Sequence, residues 1–387
     1  MTKSIRALIA LTSVVILNFS LPQCKQARAP GQIDEVDVRG VVLFKVGDVK
    51  LNDKQIEVGD LVSGDFEIKV GPQSLCDLQI KQPELAVTMR IKANTVVVLS
   101  AQARGASTVI RPSVRIGRLM LRTGKLGPGQ EIEVISRTAM ASVRGTDFEM
   151  NVTKQGGGVT VVSGKVAVRP RIPALENFPA DVVEKSPALR KVVAALQKQE
   201  VVLDKGGFLP TDTKYTDRIM KAVPGLKKLL DSPALKAVAG KSKVDPAAAQ
   251  AAAQALESGL KEADLAGKIA AATEKDAKDN PPKPVIIKDE ELRKKLQEYN
   301  ELISMEQEKL RNAEDPKAAV EEFNKKRRPA LLKQIARIMD KDQITVVLKN
   351  GTKVSGVLVP AKDGEYLVLT PEGTKRFPRS QVSHVEY

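Results

Sequence analysis

The chain has 387 residues and a net charge of +15, and 42% of its residues are hydrophobic, which permits sizeable cores in two or three domains. Aromatic residues are only 3% and Trp is absent, which argues against single-stranded nucleic-acid binding because that function relies on aromatic stacking. The single histidine excludes a histidine-rich metal site, while the basic charge favours anionic partners.

The N-terminus has the pattern of an export signal. Lys3 and Arg6 precede an apolar run over residues 7–19 that suits a signal peptide and is short for a membrane span. The small residues Ala27 and Ala29 offer ordinary cleavage, but Pro30 would hinder the peptidase. We therefore expect the chain to be exported to the bacterial cell envelope.

A second processing site lies just upstream. Leu21-Pro22-Gln23-Cys24 resembles a lipobox, although Gln23 replaces the usual small residue. This interpretation makes residues 1–23 a signal peptide, Cys24 the lipidation site and residues 24–35 a lipid-anchored linker, with the outer membrane as partner and the protein facing the periplasm or the cell surface. Each acyl methylene adds about 0.8 kcal/mol of membrane affinity. Simple secretion with an incidental Cys24 is the alternative.

Residues 36–210 have the pattern of an all-β domain. Runs such as residues 66–70 alternate between apolar and polar side chains and end at turn residues, which predicts half-buried strands. Cys76 shares a predicted strand face with Leu78 and Ile80, which favours a buried, inert thiol. If Cys24 carries lipid, Cys76 has no disulfide partner.

A basic stretch runs through this region. Residues 85–130 contain no acidic residue. The alternation of a strand places Arg118 and Arg122 on one face with Met120. The stretch predicts either a solvated face or an anion-binding surface for a glycan or lipid headgroup, formed by Arg111, Arg115, Arg118, Arg122 and Lys125.

A five-residue motif, which we call the signature, follows the basic stretch. It consists of Arg144, Gly145, Thr146, Asp147 and Phe148. It resembles the signature of FecR domains, and strand-like segments from residue 36 to residue 209 extend the resemblance. The resemblance implies an extracytoplasmic β-solenoid or sandwich-like fold without catalytic residues. We expect the signature to be structural, with Gly145 in a turn and Arg144 paired with Asp147.

Helices are predicted in two places. Residues 186–200 read as a helix inserted before the last strand of the FecR-like domain. Residues 211–341 form a helical region interrupted by a stiff, proline-rich linker at 280–284. Four helix starts combine an N-cap residue with a proline at the first helical position: Ser186-Pro187, Ser232-Pro233, Asp245-Pro246 and Asp315-Pro316.

An apolar seam follows the linker. Its residues recur at helical spacing: Leu292, Leu296, Tyr299, Ile303 and Leu310. The seam packs either against a second apolar set in the same chain or against another chain. The intrachain partners predicted for it are Phe323, Leu331, Leu332, Ile335 and Ile338.

The C-terminal residues 342–387 have the pattern of a small β-barrel. Five short apolar runs alternate with hairpin-type turns such as Asn350-Gly351 and Asp363-Gly364. The first two runs resemble the opening of Sm-like and SH3-like barrels, a resemblance that carries no ligand residues. The predicted fold is therefore multidomain, β plus α, with the helical region as a spacer between two β domains.

The sequence offers no catalytic constellation. His384 is predicted to be a surface or structural residue, and Gly240-Lys241-Ser242 lacks the glycine and the strand of a phosphate-binding loop. We therefore expect a non-enzyme with no cofactor and no metal. The favoured function is a lipid-anchored binding or scaffolding module that contacts an envelope protein or an anionic glycan or lipid. The alternatives are an accessory in extracytoplasmic transport or iron-uptake signalling and a basic surface adhesin for anionic glycans.

Overall fold

The computed structural model describes most of the chain from residue 38 onward. The described residues are 38–81, 87–104, 107–124, 126–127, 129–143, 145–176, 186–238, 245–302, 304–306, 309, 312–360 and 364–387. The predicted signal peptide, Cys24, Lys125, Arg144, Ile303 and Leu310 lie outside them.

The first part of the chain forms a two-sheet β structure. Seventeen strands of the described residues belong to it: β1 Arg39–Val46, β2 Val49–Leu51, β3 Lys54–Gln55, β4 Leu61–Ser63, β5 Phe66–Val70, β6 Leu75–Ile80, β7 Val87–Ile91, β8 Thr95–Arg104, β9 Ser107–Thr123, β10 Gln130–Ile135, β11 Ala139–Val143, β12 Asp147–Val152, β13 Gly157–Ser163, β14 Val166–Pro170, β15 Val201–Leu203, β16 Gly207–Thr211 and β17 Val285–Ile286. The alternating burial of β5, as the sequence predicted, reflects a sheet with one face on the core.

Strand pairings divide these strands into two sheets that share β9. Sheet A has the order β4-β1-β6-β7-β9-β12-β13-β16-β17. Sheet B has the order β3-β2-β5-β8-β9-β10-β11-β14-β15. One continuous core, which includes Val42, Leu99, Phe148 and Val161, lies between them. The domain is therefore a sandwich.

Gly117 marks the point where β9 passes from one sheet to the other. Residues up to Ile116 pair with β8 in sheet B, and residues from Gly117 onward pair with β7 and β12 in sheet A. Gly117 has a φ of +97°, and a Cβ there would lie 2.2 Å from Thr95 Oγ1 and 2.5 Å from Thr95 Cα. Only glycine fits this close approach without strain.

Helices form a second core beside the sandwich. The helices of the described residues are α1 Pro173–Glu176, α2 Pro187–Gln197, α3 Tyr215–Ala222, α4 Pro224–Leu230, α5 Pro233–Val238, α6 Pro246–Lys261, α7 Leu265–Asp279, α8 Asp289–Asn300 and α9 Pro316–Met339. All four predicted Pro-led starts are present, and Ser186, Asp245 and Asp315 accept capping hydrogen bonds. Helices α1–α7 bury a common apolar cluster that includes Leu189 and Leu256.

The five predicted C-terminal strands are present as a separate antiparallel sheet. They are β18 Gln343–Leu348, β19 Lys353–Val359, β20 Glu365–Thr370, β21 Gly373–Pro378 and β22 Val382–Glu386. The sheet order is β21-β20-β19-β18-β22. Within the described residues β21 and β22 are its edges and do not pair with each other, so the expected closure into a barrel is not observed.

Helix α9 lies between the sandwich and the C-terminal sheet. Leu331 and Ile335 share a buried cluster with Phe44 of β1 and with Val357 of β19. The Asn324 amide, fully buried, donates hydrogen bonds to a backbone carbonyl on each side, Leu43 O at 2.9 Å and Pro371 O at 3.3 Å. The helix is therefore packed against the sandwich on one side and the C-terminal sheet on the other. Independent folding of residues 342–387 stays a prediction.

Candidate functional site

A row of polar side chains crosses four neighbouring strands of sheet A at the signature. Thr88 of β7 lies opposite Arg122 of β9, and Arg122 lies opposite Asp147 of β12. Asp147 lies in turn opposite Ser163 of β13. Residues directly opposite in paired strands point to the same face of a sheet. The row therefore collects hydroxyl, guanidinium and carboxylate groups on one face.

Asp147 of the signature is held by Arg122. The Arg122 Nε lies 3.3 Å from Asp147 Oδ1, and the guanidinium carbon lies 5.7 Å from the centroid of the Tyr299 ring. The sequence-based partner, Arg144, lies outside the described residues. Gly145 has a φ of +70°, as the turn prediction requires. Phe148 is fully buried in the sandwich core.

A cavity of about 360 Å³ opens above this row. Its described lining is Thr88, Arg122, Thr123, Gly124, Gly145, Thr146, Asp147, Ser163 and Ser304. Thr88 Oγ1 donates a hydrogen bond of 3.1 Å to Ser304 Oγ. The Thr146 N–H donates to Thr123 Oγ1 at 2.7 Å, whereas the buried Thr146 Oγ1 has no hydrogen-bond partner among the described residues. The cavity is therefore polar on several sides.

The segment that covers this face, which we call the strap, comprises residues 285–302 and 304–306. Tyr299 is its anchor. The buried Tyr299 hydroxyl donates a hydrogen bond to Phe148 O and lies 3.4 Å from Leu121 O. Burial, followed by the nearby carboxylate Glu149, raises the pKa of Tyr299 well above its ordinary value. The hydroxyl therefore stays protonated and remains a donor.

The strap buries charge as well as apolar surface. The Glu149 carboxylate of β12 forms two ion pairs. Its Oε1 lies 2.8 Å from Lys295 Nζ of α8, and its Oε2 lies 3.3 Å from Lys92 Nζ. Burial acts to raise the pKa of Glu149, but the two lysines outweigh it and hold that pKa below its ordinary value. Lys92 also pairs with Glu298 of the strap. These contacts fix α8 to the outer face of sheet A.

A second buried ion pair lies under the end of the strap. Arg90 of β7 donates to both carboxylate oxygens of Asp77, at 2.7 and 2.6 Å, and its Nη2 donates to the Glu301 carbonyl at 2.8 Å. Gln79 exchanges two hydrogen bonds with the backbone of Met305, at 2.8 and 2.9 Å. A bidentate arginine–carboxylate pair has fixed geometry. The strap is therefore positioned by polar contacts with specific directions.

The described residues of the apolar seam pack inside the chain, against a partner other than the one predicted. Leu292 and Leu296 contact a cluster formed by Met120 and Val162 of sheet A with Tyr299. Four of the five predicted partners lie on α9 and pack instead in a cluster with residues of β1: Phe323, Leu331, Ile335 and Ile338. Strand alternation alone assigns Met120 to a polar face with Arg118 and Arg122, so nothing in the sequence indicates that the seam packs on sheet A. In the structure Met120 is buried along with its neighbours Leu119 and Leu121, because the strap covers this face.

The predicted basic stretch is divided between two sheets and largely paired with carboxylates. Arg111 and Arg115 lie in the sheet B half of β9 and pair with Glu133 and Glu67. Arg122 and Arg118 lie in the sheet A half. Arg122 pairs with Asp147, while Arg118 is exposed and forms no ion pair with the residues that the structure describes. Anion binding by this stretch stays a prediction.

Other candidates from the sequence have structural surroundings. Cys76 is a free, fully buried cysteine, as predicted, and burial raises the pKa of its thiol far above the ordinary value. His384 is exposed, with its Nε2 3.4 Å from Glu386 Oε1. In the described part of the chain no group of acidic, cysteine or histidine residues could hold a metal ion. The described helices include none that is long and apolar enough to cross a membrane.

Together these features define a β-sandwich with a helical cluster beside it, a strap held against sheet A and a polar cavity at the signature. Residues 67–167 match the model of the family described as FecR protein, so this part of the chain is a FecR domain. The match runs from within β5 to the first two residues of β14 and includes the whole signature.

Two solved structures, each described as "a putative anti-sigma factor" from Parabacteroides distasonis ATCC 8503, are similar to this chain. Both share 17% sequence identity over 38% of this chain, with TM-scores of 0.27 and 0.26. The matched part spans 56% and 55% of those chains. No curated protein matches this chain.

Proposed function

We propose that this protein is an exported, non-catalytic accessory of extracytoplasmic signalling that acts by binding another envelope protein. The FecR domain at residues 67–167 carries the proposal, because the best-known members of that family are regulators that respond to transport across the outer membrane. No catalytic step is assigned to the chain, and its role is to present a folded surface to a partner.

The edges of sheet A support a binding role. Among the described residues, β4 pairs only with β1 and β17 pairs only with β16. Each exposes a large apolar side chain, Leu61 at 58% and Ile286 at 77%. A sheet edge presents unpaired N–H and C=O groups to which another chain can add a strand. These two edges are the surfaces on which we place the protein partner.

Membrane attachment through Cys24 is part of the proposal. Acylation would hold the protein in the envelope and concentrate it beside a membrane-bound partner. Detergent partitioning of the wild type and of Cys24→Ala tests this step. We expect the wild type in the detergent phase and the variant in the aqueous phase. Aqueous partitioning of both would exclude the anchor and favour simple secretion.

Crosslinking in intact cells tests the function itself. A photoreactive residue at position 286 or 61 should form a covalent adduct, and mass spectrometry would identify the partner. We expect an outer-membrane receptor or a membrane-bound regulator of a sigma factor. The same photoreactive residue at Lys353, on the C-terminal sheet, is the control. Adducts formed only with structural proteins of the envelope would contradict the signalling role and favour a scaffolding function.

A further inference from the structure

We infer that the cavity at the signature binds a neutral saccharide, through the row of side chains that crosses sheet A. This site is independent of the signalling role proposed above, since it requires neither export nor a protein partner. It is formed by strands of the FecR domain and closed on one side by the strap.

The charge of the cavity argues for a neutral ligand. Arg122 and Asp147 are the charged side chains of its described lining, and they face each other at 3.3 Å. An anion beside Arg122 would meet the Asp147 carboxylate, and a cation beside Asp147 would meet the guanidinium. The pair offers both donors and acceptors with no net charge, which a neutral polar molecule can use.

The remaining lining argues for a molecule with several hydroxyl groups. Thr88, Ser163 and Ser304 supply hydroxyls, and two glycines lie in the lining. A hydroxyl both donates and accepts hydrogen bonds, so such a lining suits sugar hydroxyls, which do the same. The volume of about 360 Å³ lies at the low end of small-ligand sites, about 300–1,000 Å³. A single sugar ring is the matching size.

Ser163 supplies a hydroxyl of this lining that a ligand can reach. Ser163, at the end of β13, is exposed and lies on the open side of the same cavity.

Saturation-transfer NMR on the full chain tests the inference. The probes are glucose, galactose and N-acetylglucosamine, with acetate and methylammonium as the charged comparison, because their methyl protons do not exchange with water. We expect transfer to at least one neutral sugar and none to acetate or methylammonium. No transfer to any of the three sugars, or transfer to acetate alone, would overturn the proposal.

One variant assigns the binding to this cavity. Ser163→Ala removes one exposed hydroxyl and should weaken sugar binding about fivefold, the effect of one lost hydrogen bond. Its melting temperature should stay at the wild-type value, because the Ser163 hydroxyl has no described partner in the protein. Ser383→Ala, outside the cavity, is the matched control. Wild-type affinity in Ser163→Ala would place the sugar elsewhere and contradict the proposal.

Discussion

The hydroxyl of Tyr299 donates a hydrogen bond to the carbonyl oxygen of Phe148, a residue 151 positions earlier in the chain. Phe148 is the last residue of the signature and lies in the sandwich core, whereas Tyr299 belongs to the strap. This contact links the C-terminal third of the chain to the FecR domain at its most characteristic motif. The strap is therefore a structural extension of that domain.

Removal of the Tyr299 hydroxyl should weaken the attachment of the strap. We expect Tyr299→Phe to lower the free energy of unfolding by about 1 kcal/mol, the net value of one buried hydrogen bond. Urea denaturation measures the change. Tyr387→Phe alters a residue that is 93% exposed and should have no effect. Equal stability of the wild type and Tyr299→Phe would contradict the anchoring role.

Neutralising Glu149 should lower the free energy of unfolding more than removal of the Tyr299 hydroxyl does. Glu149→Gln leaves Lys92 and Lys295 largely buried without their shared carboxylate, and breaking a buried pair costs about 3–5 kcal/mol. Since Lys92 keeps Glu298 as a partner, we expect the lower end of that range. Glu290→Gln breaks the exposed pair with Lys294 on α8, the helix that carries Lys295, and should cost less than about 0.5 kcal/mol. Similar costs for the two variants would exclude a buried clamp.

The Glu149 contribution should depend on pH. Its pKa in the folded chain lies below the ordinary value of 4.5, so the unfolded state binds the proton more tightly. The stabilisation is therefore complete above about pH 4.5 and is lost as the pH falls through the lowered folded pKa. The difference in unfolding free energy between the wild type and Glu149→Gln should shrink in that acidic range. A difference that is constant down to pH 3 would contradict this assignment.

The passage of β9 between the sheets should require glycine at position 117. Gly117→Ala combines left-handed backbone cost with a clash against Thr95, and we expect a loss of about 2–5 kcal/mol. Gly351→Ala is the matched control, because its φ is +84° but nothing lies within 4 Å of the added Cβ. It should cost only about 1–2 kcal/mol. Equal thermal shifts in the two variants would exclude the close approach at Gly117.

Two arginines of the basic stretch should differ in their roles. Arg122→Gln removes the contact with Asp147 and the stacking on Tyr299, and should cost about 1 kcal/mol of stability. Arg118→Gln should change stability by less than about 0.5 kcal/mol but should weaken heparin binding more, because Arg118 is exposed. Calorimetry and heparin affinity chromatography measure the two effects. The reverse ranking would contradict this division of roles.

Local patterns predicted many of the elements and few of the contacts between them. Alternation identified the strands around Ile68 and the five C-terminal strands, because a half-buried strand imposes a period of two. N-cap residues followed by proline located four helix starts, since that pairing has a local cause in helix geometry. The buried state of Cys76 followed from its apolar neighbours on one strand face.

The site required information that is distant in sequence. Nothing near Glu149 indicates that Lys92 and Lys295 meet it, and the partners of the apolar seam lie on strands more than 100 residues away. The basic stretch was interpreted as one surface because Gly117, where β9 changes sheets, is an ordinary glycine in the sequence. The Arg122–Asp147 pair depends on strand register, which alternation does not determine.

Cleavage of the proline-rich linker tests the central claim most directly. A protease site introduced at residues 280–284, which are exposed in the structure, would separate the FecR domain from the strap, α9 and the C-terminal sheet. After cleavage, size-exclusion chromatography should show both pieces eluting together, and the double variant Tyr299→Phe, Glu149→Gln should release a larger share of the C-terminal piece. Separation of the wild-type pieces at micromolar concentration would contradict the account and favour a linker between independent domains.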